Sequence, residues 1–248
     1  RDFTPVTGKV GVVYDVRPSA SLYAHVASAA DPVNTNLFIV RSGEDFDLAR
    51  GVQVEAGVKQ TLPRGRGEWT ASVYRIERKD ILTQTSLTTA DAVGQQSSSG
   101  IEATLVLRPR PRWTLQTNVA FVRARFDQFD ERVGNQLVSR AGNRPFNVPP
   151  VVVGLWGSYR LGDRHPVEMG GAFRYVGDRF TTTDNAIRML GYGVLDAFAT
   201  WNAGRYRVTA RLRNLLDKDY AIWGDNFYPT QVLLGAPRSA EIGVGVRF

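Results

Sequence analysis

Few residues in this chain of 248 residues are of the types that carry out catalysis or ligate a metal. It has no cysteine and only two histidines, His25 and His165, neither of which lies near carboxylates at metal-ligand spacing. Gly191-Tyr-Gly193 precedes no helical pattern and so predicts no dinucleotide loop, and Ser97-Ser-Ser99 has no paired base. The sequence therefore predicts no enzyme and no resident metal or cofactor.

The abundant polar residue is arginine, with 27 copies against 4 lysines, and the net charge is +7. A basic chain often binds nucleic acid through stacking aromatics interleaved with its cations. Here the arginines cluster in turns and the aromatic residues lie away from them, so we expect no nucleic-acid partner. No run of about 20 apolar residues offers a membrane-spanning helix, so strands would have to make any contact with a membrane.

Apolar and polar residues alternate with a period of two, which predicts strands and no helix. The last predicted strand is the clearest, since every second residue is apolar: Ala240, Ile242, Val244, Val246 and Phe248. In the fourth strand the parity shifts between Val73 and Tyr74, which predicts a bulge or a different register. The eleven predicted strands cover residues 7–16, 21–29, 51–60, 69–82, 99–107, 113–125, 151–160, 167–177, 191–202, 206–215 and 238–248.

Short and long connections alternate between these strands, as in outer-membrane barrels with short periplasmic turns and long extracellular loops. Strands of about 10 residues, tilted by about 45°, climb roughly 23 Å, which matches the apolar band of such a barrel. A soluble sandwich or propeller also has alternating strands and is the alternative, although its strands are usually about 5–6 residues long. The predicted long connections are residues 30–50, 83–98, 126–149, 178–190 and 216–237.

Large aromatic residues gather on the apolar face at the short-turn ends of the strands, which predicts a girdle at a membrane interface. The predicted girdle consists of Tyr14, Trp69, Trp113, Tyr159, Trp201, Tyr206 and Phe248. Charged residues on the opposite face would be costly in lipid, so we expect them to face the lumen. Those of most interest are Arg174, Arg211, Arg213, Glu55 and Glu102.

An odd number of antiparallel strands cannot close, because the first and last strands run in the same direction. We therefore expect an all-β fold, in which residues 1–248 are the C-terminal part of a larger antiparallel transmembrane β-barrel.

Eight motifs, in this order along nearly the whole chain, resemble the C-terminal half of the barrel of TonB-dependent ferric-siderophore receptors. They are Gly57-Val-Lys-Gln60, Tyr74-Arg-Ile-Glu-Arg-Lys-Asp-Ile81, Ser99-Gly-Ile-Glu102, Gly142-Asn-Arg-Pro-Phe-Asn-Val-Pro149, Arg174-Tyr-Val-Gly-Asp-Arg179, Tyr192-Gly-Val-Leu-Asp196, Arg213-Asn-Leu-Leu-Asp-Lys-Asp-Tyr220 and Gly235-Ala-Pro-Arg-Ser239. Two positions depart from the family pattern: Leu216 stands where an aromatic residue is usual, and Asp80 where Asn is common.

The resemblance implies a barrel of about 22 strands in the bacterial outer membrane, of which this chain would supply eleven. It also implies a plug domain, which the lumen-facing arginines could contact. Transport would use energy relayed by TonB, and we expect the plug domain and the segment that contacts TonB to lie outside residues 1–248. Phe248 resembles the terminal phenylalanine through which the barrel assembly machinery recognises its substrates. The implied function is uptake of ferric siderophores.

In such a receptor the external loops would capture the ligand, since aromatic rings stack on aryl groups and guanidinium groups pair with anionic chelates. The candidates are Trp223, Phe227, Tyr228, Arg179, Phe180, Arg188, Phe38, Arg41, Phe126 and Arg140. The first three, together with Arg179 and Arg188, form the preferred set, although loop aromatics can also pack the loop on itself.

Other functions remain open on the same scaffold: a receptor for haem, cobalamin or a glycan, or an outer-membrane enzyme or passive porin. Haem receptors often present histidine in external loops, and the predicted external loops contain none. A siderophore is therefore the preferred ligand, and we expect transport and no catalysis.

Overall fold

The computed structural model describes residues 4–31, 48–84, 90–164, 166–226, 228 and 230–247. These residues form one large antiparallel sheet of eleven strands and three small two-stranded sheets. No helix in the described part of the chain is long and apolar enough to cross a membrane.

The large sheet contains the strands β1 Gly8–Arg17, β2 Ala20–Asp31, β3 Ala49–Leu62, β4 Gly67–Gln84, β5 Ala90–Leu107, β6 Trp113–Gln128, β9 Val151–Leu161, β10 Val167–Val176, β13 Tyr192–Ala203, β14 Tyr206–Arg213 and β17 Ser239–Val246. They lie side by side in sequence order. The remaining strands form hairpins within the long connections: β7 Asp130–Val133 with β8 Gln136–Ser139, β11 Arg179–Phe180 with β12 Arg188–Met189, and β15 Ala221–Gly224 with β16 Val232–Leu234.

The prediction of eleven antiparallel strands is confirmed, but two details of the fourth and fifth strands were wrong. No bulge occurs near Tyr74, because the pairing of β4 with β3 runs without a shift from Gly67 to Lys79. The predicted polar connection 83–98 is largely strand, since β4 continues to Gln84 and β5 already begins at Ala90. The sequence of these strand ends has no sustained alternation of apolar and polar residues, so the period-two pattern could not reveal them.

The pairing register places the apolar residues of neighbouring strands in continuous rows on one face of the sheet. One such row runs through Val12, Ala24, Ala56, Val73, Ile101, Phe121 and Val151. We call this side the apolar face and the opposite side, which carries Glu55, Glu102 and Arg174, the polar face.

The apolar face has no second layer of described structure over it. Val10, Ile242 and Val244 are 73%, 77% and 68% exposed. Five of the seven buried apolar side chains among the described residues form two clusters at the long-loop end, Phe126 with Phe129 and Val176 with Tyr192 and Val194. A sheet that leaves its apolar face uncovered and keeps its packed clusters at one end is suited to lipid.

Asn214 joins β14 to the long connection that carries β15 and β16. Its amide donates to the carbonyls of Lys218 and Ala236 at 2.9 and 3.1 Å, and its side-chain oxygen accepts the Lys218 N–H at 2.9 Å. Asn214 is only 2% exposed and has a φ of 49°, a conformation that asparagine tolerates better than most residues. Leu216, by contrast, is 72% exposed, so the departure from an aromatic at that position disturbs no packing.

Asp80, the second departure from the family pattern, has a φ of 57°. Asparagine and aspartate are the residues, besides glycine, that most readily adopt this left-handed conformation. The exchange of Asn for Asp therefore preserves the backbone requirement.

Candidate ligand-binding loops

The hairpin β15–β16 carries the exposed indole of Trp223. Hydrogen bonds from other loops hold the backbone of this hairpin before and after Trp223. On one side, the Arg179 guanidinium donates to the carbonyls of Ala221 and Ile222 at 2.7 and 2.9 Å. On the other side, the Asn147 amide donates to the Gly224 carbonyl at 2.7 Å and its oxygen accepts the Gly224 N–H at 3.0 Å. We refer to Arg179 and Asn147 as the hairpin clamp.

The clamp is itself fixed by the neighbouring loops. The Asn147 N–H donates to the Phe180 carbonyl at 2.8 Å, which ties it to β11. Gly224 lies against Thr181, whose methyl carbon would be 2.3 Å from a Cβ at position 224, so the hairpin can approach this closely only with glycine there. Three of the long connections are therefore joined around the strand that presents Trp223.

Arg179 is buried among these joined loops and is only 5% exposed. Its guanidinium lies 5.5 Å from the centre of the Tyr192 ring, and burial lowers the pKa of Arg179. Its Nε has no hydrogen-bond partner among the described residues. The prediction that Arg179 contacts a ligand gains no support from this placement, because the side chain is used to hold the hairpin.

A second network links the connection after β6 to the loop between β11 and β12. Arg140 Nε donates to Glu131 at 2.6 Å, and the Thr183 hydroxyl donates to the same carboxylate oxygen at 2.9 Å. The Asn143 amide donates to the Thr183 carbonyl at 2.9 Å. Arg140, a predicted ligand residue, thus has an internal partner, and its side chain is 16% exposed.

A third network surrounds Arg144. Its backbone N–H and carbonyl bond the Asn185 side chain at 2.9 and 2.8 Å, and its guanidinium lies 5.3 Å from the centre of the Phe180 ring. Asp178 accepts the Gly191 N–H at 2.8 Å and also pairs with Arg188. Phe180 is half-buried in this network, whereas the Arg188 side chain is 60% exposed.

Only part of the predicted ligand set is therefore accessible. Trp223 and Tyr228 are 44% and 45% exposed, and Arg188 is exposed as well. Phe126 is 2% exposed and packs against Phe129, with ring centres 4.9 Å apart, so it belongs to a packed cluster of the loops. The predicted candidates Phe38, Arg41 and Phe227 lie outside the described residues.

Sequence reasoning missed the residues that connect the loops, chiefly Asn147, Asn143, Arg144, Thr183 and Asn185. The usable signal in the sequence was the residue type asparagine, which adopts the left-handed conformation more readily than most residues. In the structure Asn147 and Asn185 do so, with φ values of 58° and 60°. Asparagine in a loop is a frequent choice for that conformation, and its amide can then bond a distant backbone.

The polar face carries the residues predicted for the lumen. Glu241 pairs with both Arg211 and Arg213, at 3.4 and 3.0 Å. Arg174 lies over the ring of Tyr192, at 5.9 Å from its centre. Glu102 is exposed on the same face, between Ser72 and Ala120 of the flanking strands.

Glu55 is the centre of a smaller polar cluster on this face. It accepts hydrogen bonds from Tyr23 and Gln53 at 2.8 and 3.0 Å, and His25 lies 3.9 Å away. His25 also stacks on Tyr23, with ring centres 6.4 Å apart. The second histidine of the sequence, His165, lies outside the described residues.

Six of the seven predicted girdle residues lie on the apolar face, at the strand ends next to the short turns. Trp113 and Tyr159 are directly paired across β6 and β9, with ring centres 4.9 Å apart. The Trp69 indole donates to Gln60 at 3.1 Å. The others are Tyr14, Trp201 and Tyr206, which are 67%, 46% and 43% exposed. Phe248 lies outside the described residues, and contact of the whole girdle with a membrane interface stays a prediction.

Comparison with known proteins identifies relatives for nearly the whole chain. The "Metal-pseudopaline receptor CntO" of Pseudomonas aeruginosa is 25% identical over 248 residues, covering 98% of this chain and 33% of that protein. The "Ferrioxamine receptor" of Yersinia enterocolitica is 24% identical over 252 residues, with coverages of 98% and 33%. The chain thus spans about a third of the length of these relatives.

The fold also matches a solved structure. The siderophore receptor PiuA of Acinetobacter baumannii superimposes with a TM-score of 0.83 at 20% sequence identity, covering 97% of this chain and 35% of that one. The family model described as "TonB dependent receptor-like, beta-barrel" matches residues 1–215. The chain therefore belongs to the TonB-dependent receptor-like β-barrel family, whose members are outer-membrane transport receptors of bacteria.

Proposed function

We propose that this chain is part of an outer-membrane receptor that takes up ferric siderophores with energy supplied through TonB. The relatives named as receptors for metal-pseudopaline and ferrioxamine support a metal chelate as the ligand. In this proposal the iron is cargo, and the protein recognises the organic chelator around it.

The observation that carries the proposal is the exposed indole of Trp223 on a hairpin whose backbone is clamped by Arg179 and Asn147. A flat aromatic surface held at a fixed position can stack on a chelator with little loss of conformational entropy. Tyr228 and Arg188 are the other accessible members of the predicted set, and Arg188 would add attraction for an anionic chelate.

In the same proposal, this chain supplies one part of the receptor and the remainder of the receptor supplies the other parts. Residues 1–248 supply the C-terminal eleven strands of a barrel of about 22, which agrees with the share of the relatives that the chain spans. The plug domain and the segment that contacts TonB belong to the remainder of the receptor. The polar face, with Arg174, Arg211 and Arg213, contacts the plug, the apolar face and its girdle contact lipid, and Phe248 is recognised by the barrel assembly machinery.

Uptake by cells tests this function. We expect a strain that lacks the gene to lose accumulation of radioactive iron from at least one ferric siderophore during iron limitation, and the restored gene to return it. Collapse of the proton gradient or loss of TonB should abolish that accumulation, whereas a passive porin would continue to admit its solute. Uptake of haem or cobalamin, together with no uptake of any ferric siderophore tested, would show that the receptor carries another nutrient.

A further inference from the structure

The short connections of the large sheet carry a row of arginines. The hairpins β1–β2, β3–β4, β5–β6, β9–β10 and β13–β14 each have at least one arginine in the short turn or next to it. The sequence of these turns contains a single acidic residue, Asp163. Short turns face the periplasm in outer-membrane barrels, so the periplasmic end of the sheet is strongly cationic. We call these residues the turn arginines: Arg17, Arg64, Arg66, Arg108, Arg110, Arg112, Arg160, Arg164 and Arg205.

Most of the turn arginines have no partner within the described part of the chain. Arg112 bonds Asp163 of the neighbouring turn at 3.0 Å, and Arg205 donates to the Tyr206 hydroxyl at 3.0 Å. The other turn arginines make no ion pair or side-chain hydrogen bond with a described residue, and their side chains are exposed. Because arginine is permanently charged in proteins, this end of the sheet attracts anions from the surrounding solution.

The pairing register separates arginine from the aromatic girdle at this end of the sheet. Trp113 and Tyr159 are paired on the apolar face, and Arg160 follows Tyr159 directly in β9. Successive side chains of a strand point to opposite faces, so Arg160 lies on the polar face, opposite Glu168 of β10. The aromatic residues are therefore on the side that is suited to lipid, and Arg160 is on the side that is suited to water.

The spacing of the turns favours a partner that carries many anions. Neighbouring turns are separated by two strands, which corresponds to about 10 Å. A small anion engages one turn or two neighbouring turns, whereas a chain with anions at regular intervals can engage the whole row. Pro63, Pro109 and Pro111 fix φ within two of these turns, so the turns lose little conformational freedom when a partner binds.

We propose that the turn arginines bind peptidoglycan, a periplasmic polymer whose peptide stems carry carboxylates at regular intervals. Guanidinium groups pair with carboxylates bidentately. The row of turns matches a repeating polyanion, whereas lipid headgroups would lie beside the girdle on the other face. The turns also lie past the ends of the strands that enclose the lumen, so a plug domain inside the lumen leaves them accessible. This contact would hold the receptor next to the cell wall, whichever nutrient it carries.

Co-sedimentation with insoluble peptidoglycan sacculi tests this contact. The whole receptor is purified from its own membrane in detergent, and boiling detergent and protease remove all protein from the sacculi. We expect Arg108→Ala/Arg110→Ala to lower the affinity by about tenfold, and Arg108→Lys/Arg110→Lys to retain most of it because the charge is kept. The matched control is Arg123→Ala/Arg132→Ala, which removes two exposed arginines near the long loops and should sediment as the wild type does.

A second arm modifies the sacculi instead of the receptor. Conversion of their carboxyl groups to neutral amides should weaken binding of the wild type by about tenfold. Equal binding of amidated and untreated sacculi would overturn the proposal, as would unchanged affinity of a folded Arg108→Ala/Arg110→Ala receptor. Displacement from the sacculi by phosphatidylglycerol vesicles at an equal concentration of anionic groups would assign the turns to lipid and would also overturn it. Nutrient uptake is measured separately, so failure here leaves the proposed transport function intact.

Discussion

Removal of the Asn147 side chain should loosen the hairpin that presents Trp223 while the barrel strands stay unchanged. The side chain makes two hydrogen bonds to the backbone of Gly224, at 2.7 and 3.0 Å. Because hydrogen bonds of this kind contribute about 0.5–1.5 kcal/mol each, their loss should cost about 1–3 kcal/mol of local stability. Glycine is the best replacement, since it retains the φ of 58° without the strain that alanine would add.

Native-state hydrogen exchange of the receptor measures this local stability directly. A loss of about 2 kcal/mol corresponds to exchange about 30-fold faster, which we expect for amides of Ala221–Gly224 and Val232–Leu234 in Asn147→Gly. Amides in the middle of β9 and β10 should be unaffected. Asn202→Ala is the control, because the Asn202 side chain has no hydrogen bond within the described structure. Unchanged protection of the hairpin in Asn147→Gly would refute the clamp.

Three further predictions concern other parts of the chain. Asn214→Ala removes three side-chain hydrogen bonds at a site that is 2% exposed, so we expect a loss of about 2–4 kcal/mol, seen as a lower temperature for heat-dependent loss of the folded band in gel electrophoresis; an unchanged temperature would contradict this. Hydrogen bonds from Thr182 and the Ala186 N–H lower the pKa of Asp184, so its stabilisation of the loop is present above the ordinary carboxyl pKa of about 4 and is lost as the pH falls through the depressed value. The protection of amides in residues 182–186, after correction of the exchange rates for their intrinsic pH dependence, should accordingly fall on acidification in the wild type and depend less on pH in Asp184→Asn; equal pH dependence would count against it. Deletion of Phe248 should lower the amount of receptor at the cell surface more than it lowers ligand affinity per assembled receptor, and normal surface levels would contradict its role in assembly.

The sheet could be predicted from the sequence because lipid and lumen impose opposite demands on alternate residues. Val10, Val12 and Tyr14 establish the apolar face of β1 without reference to any other strand. The same signal disappears towards the long connections, where apolar and polar residues no longer alternate, and so the start of β5 at Ala90 was not foreseen. The parity change between Val73 and Tyr74 marks this transition; of its two predicted explanations, a bulge or a different register, the bulge is absent.

The external loops were less predictable, because residue types there do not distinguish a ligand contact from a structural one. Arg179 and Phe126 have the chemistry to bind a ligand, yet the structure buries them to 5% and 2% exposure. Their partners are distant in sequence, as with the carbonyls of Ala221 and Ile222 that Arg179 bonds. Such contacts depend on how three loops approach one another, which no local pattern encodes.

Direct titration of the receptor with a ferric siderophore that supports uptake tests the proposed capture of the chelate by Trp223. We expect Trp223→Ala to weaken binding by about tenfold, which corresponds to about 1.4 kcal/mol of lost stacking, and Trp223→Phe to restore much of it. Leu137→Ala is the matched control, since Leu137 is an external hydrophobic residue that is 65% exposed and lies on a different hairpin, β7–β8. Equal affinity of the wild type and a folded Trp223→Ala receptor would contradict this role for Trp223.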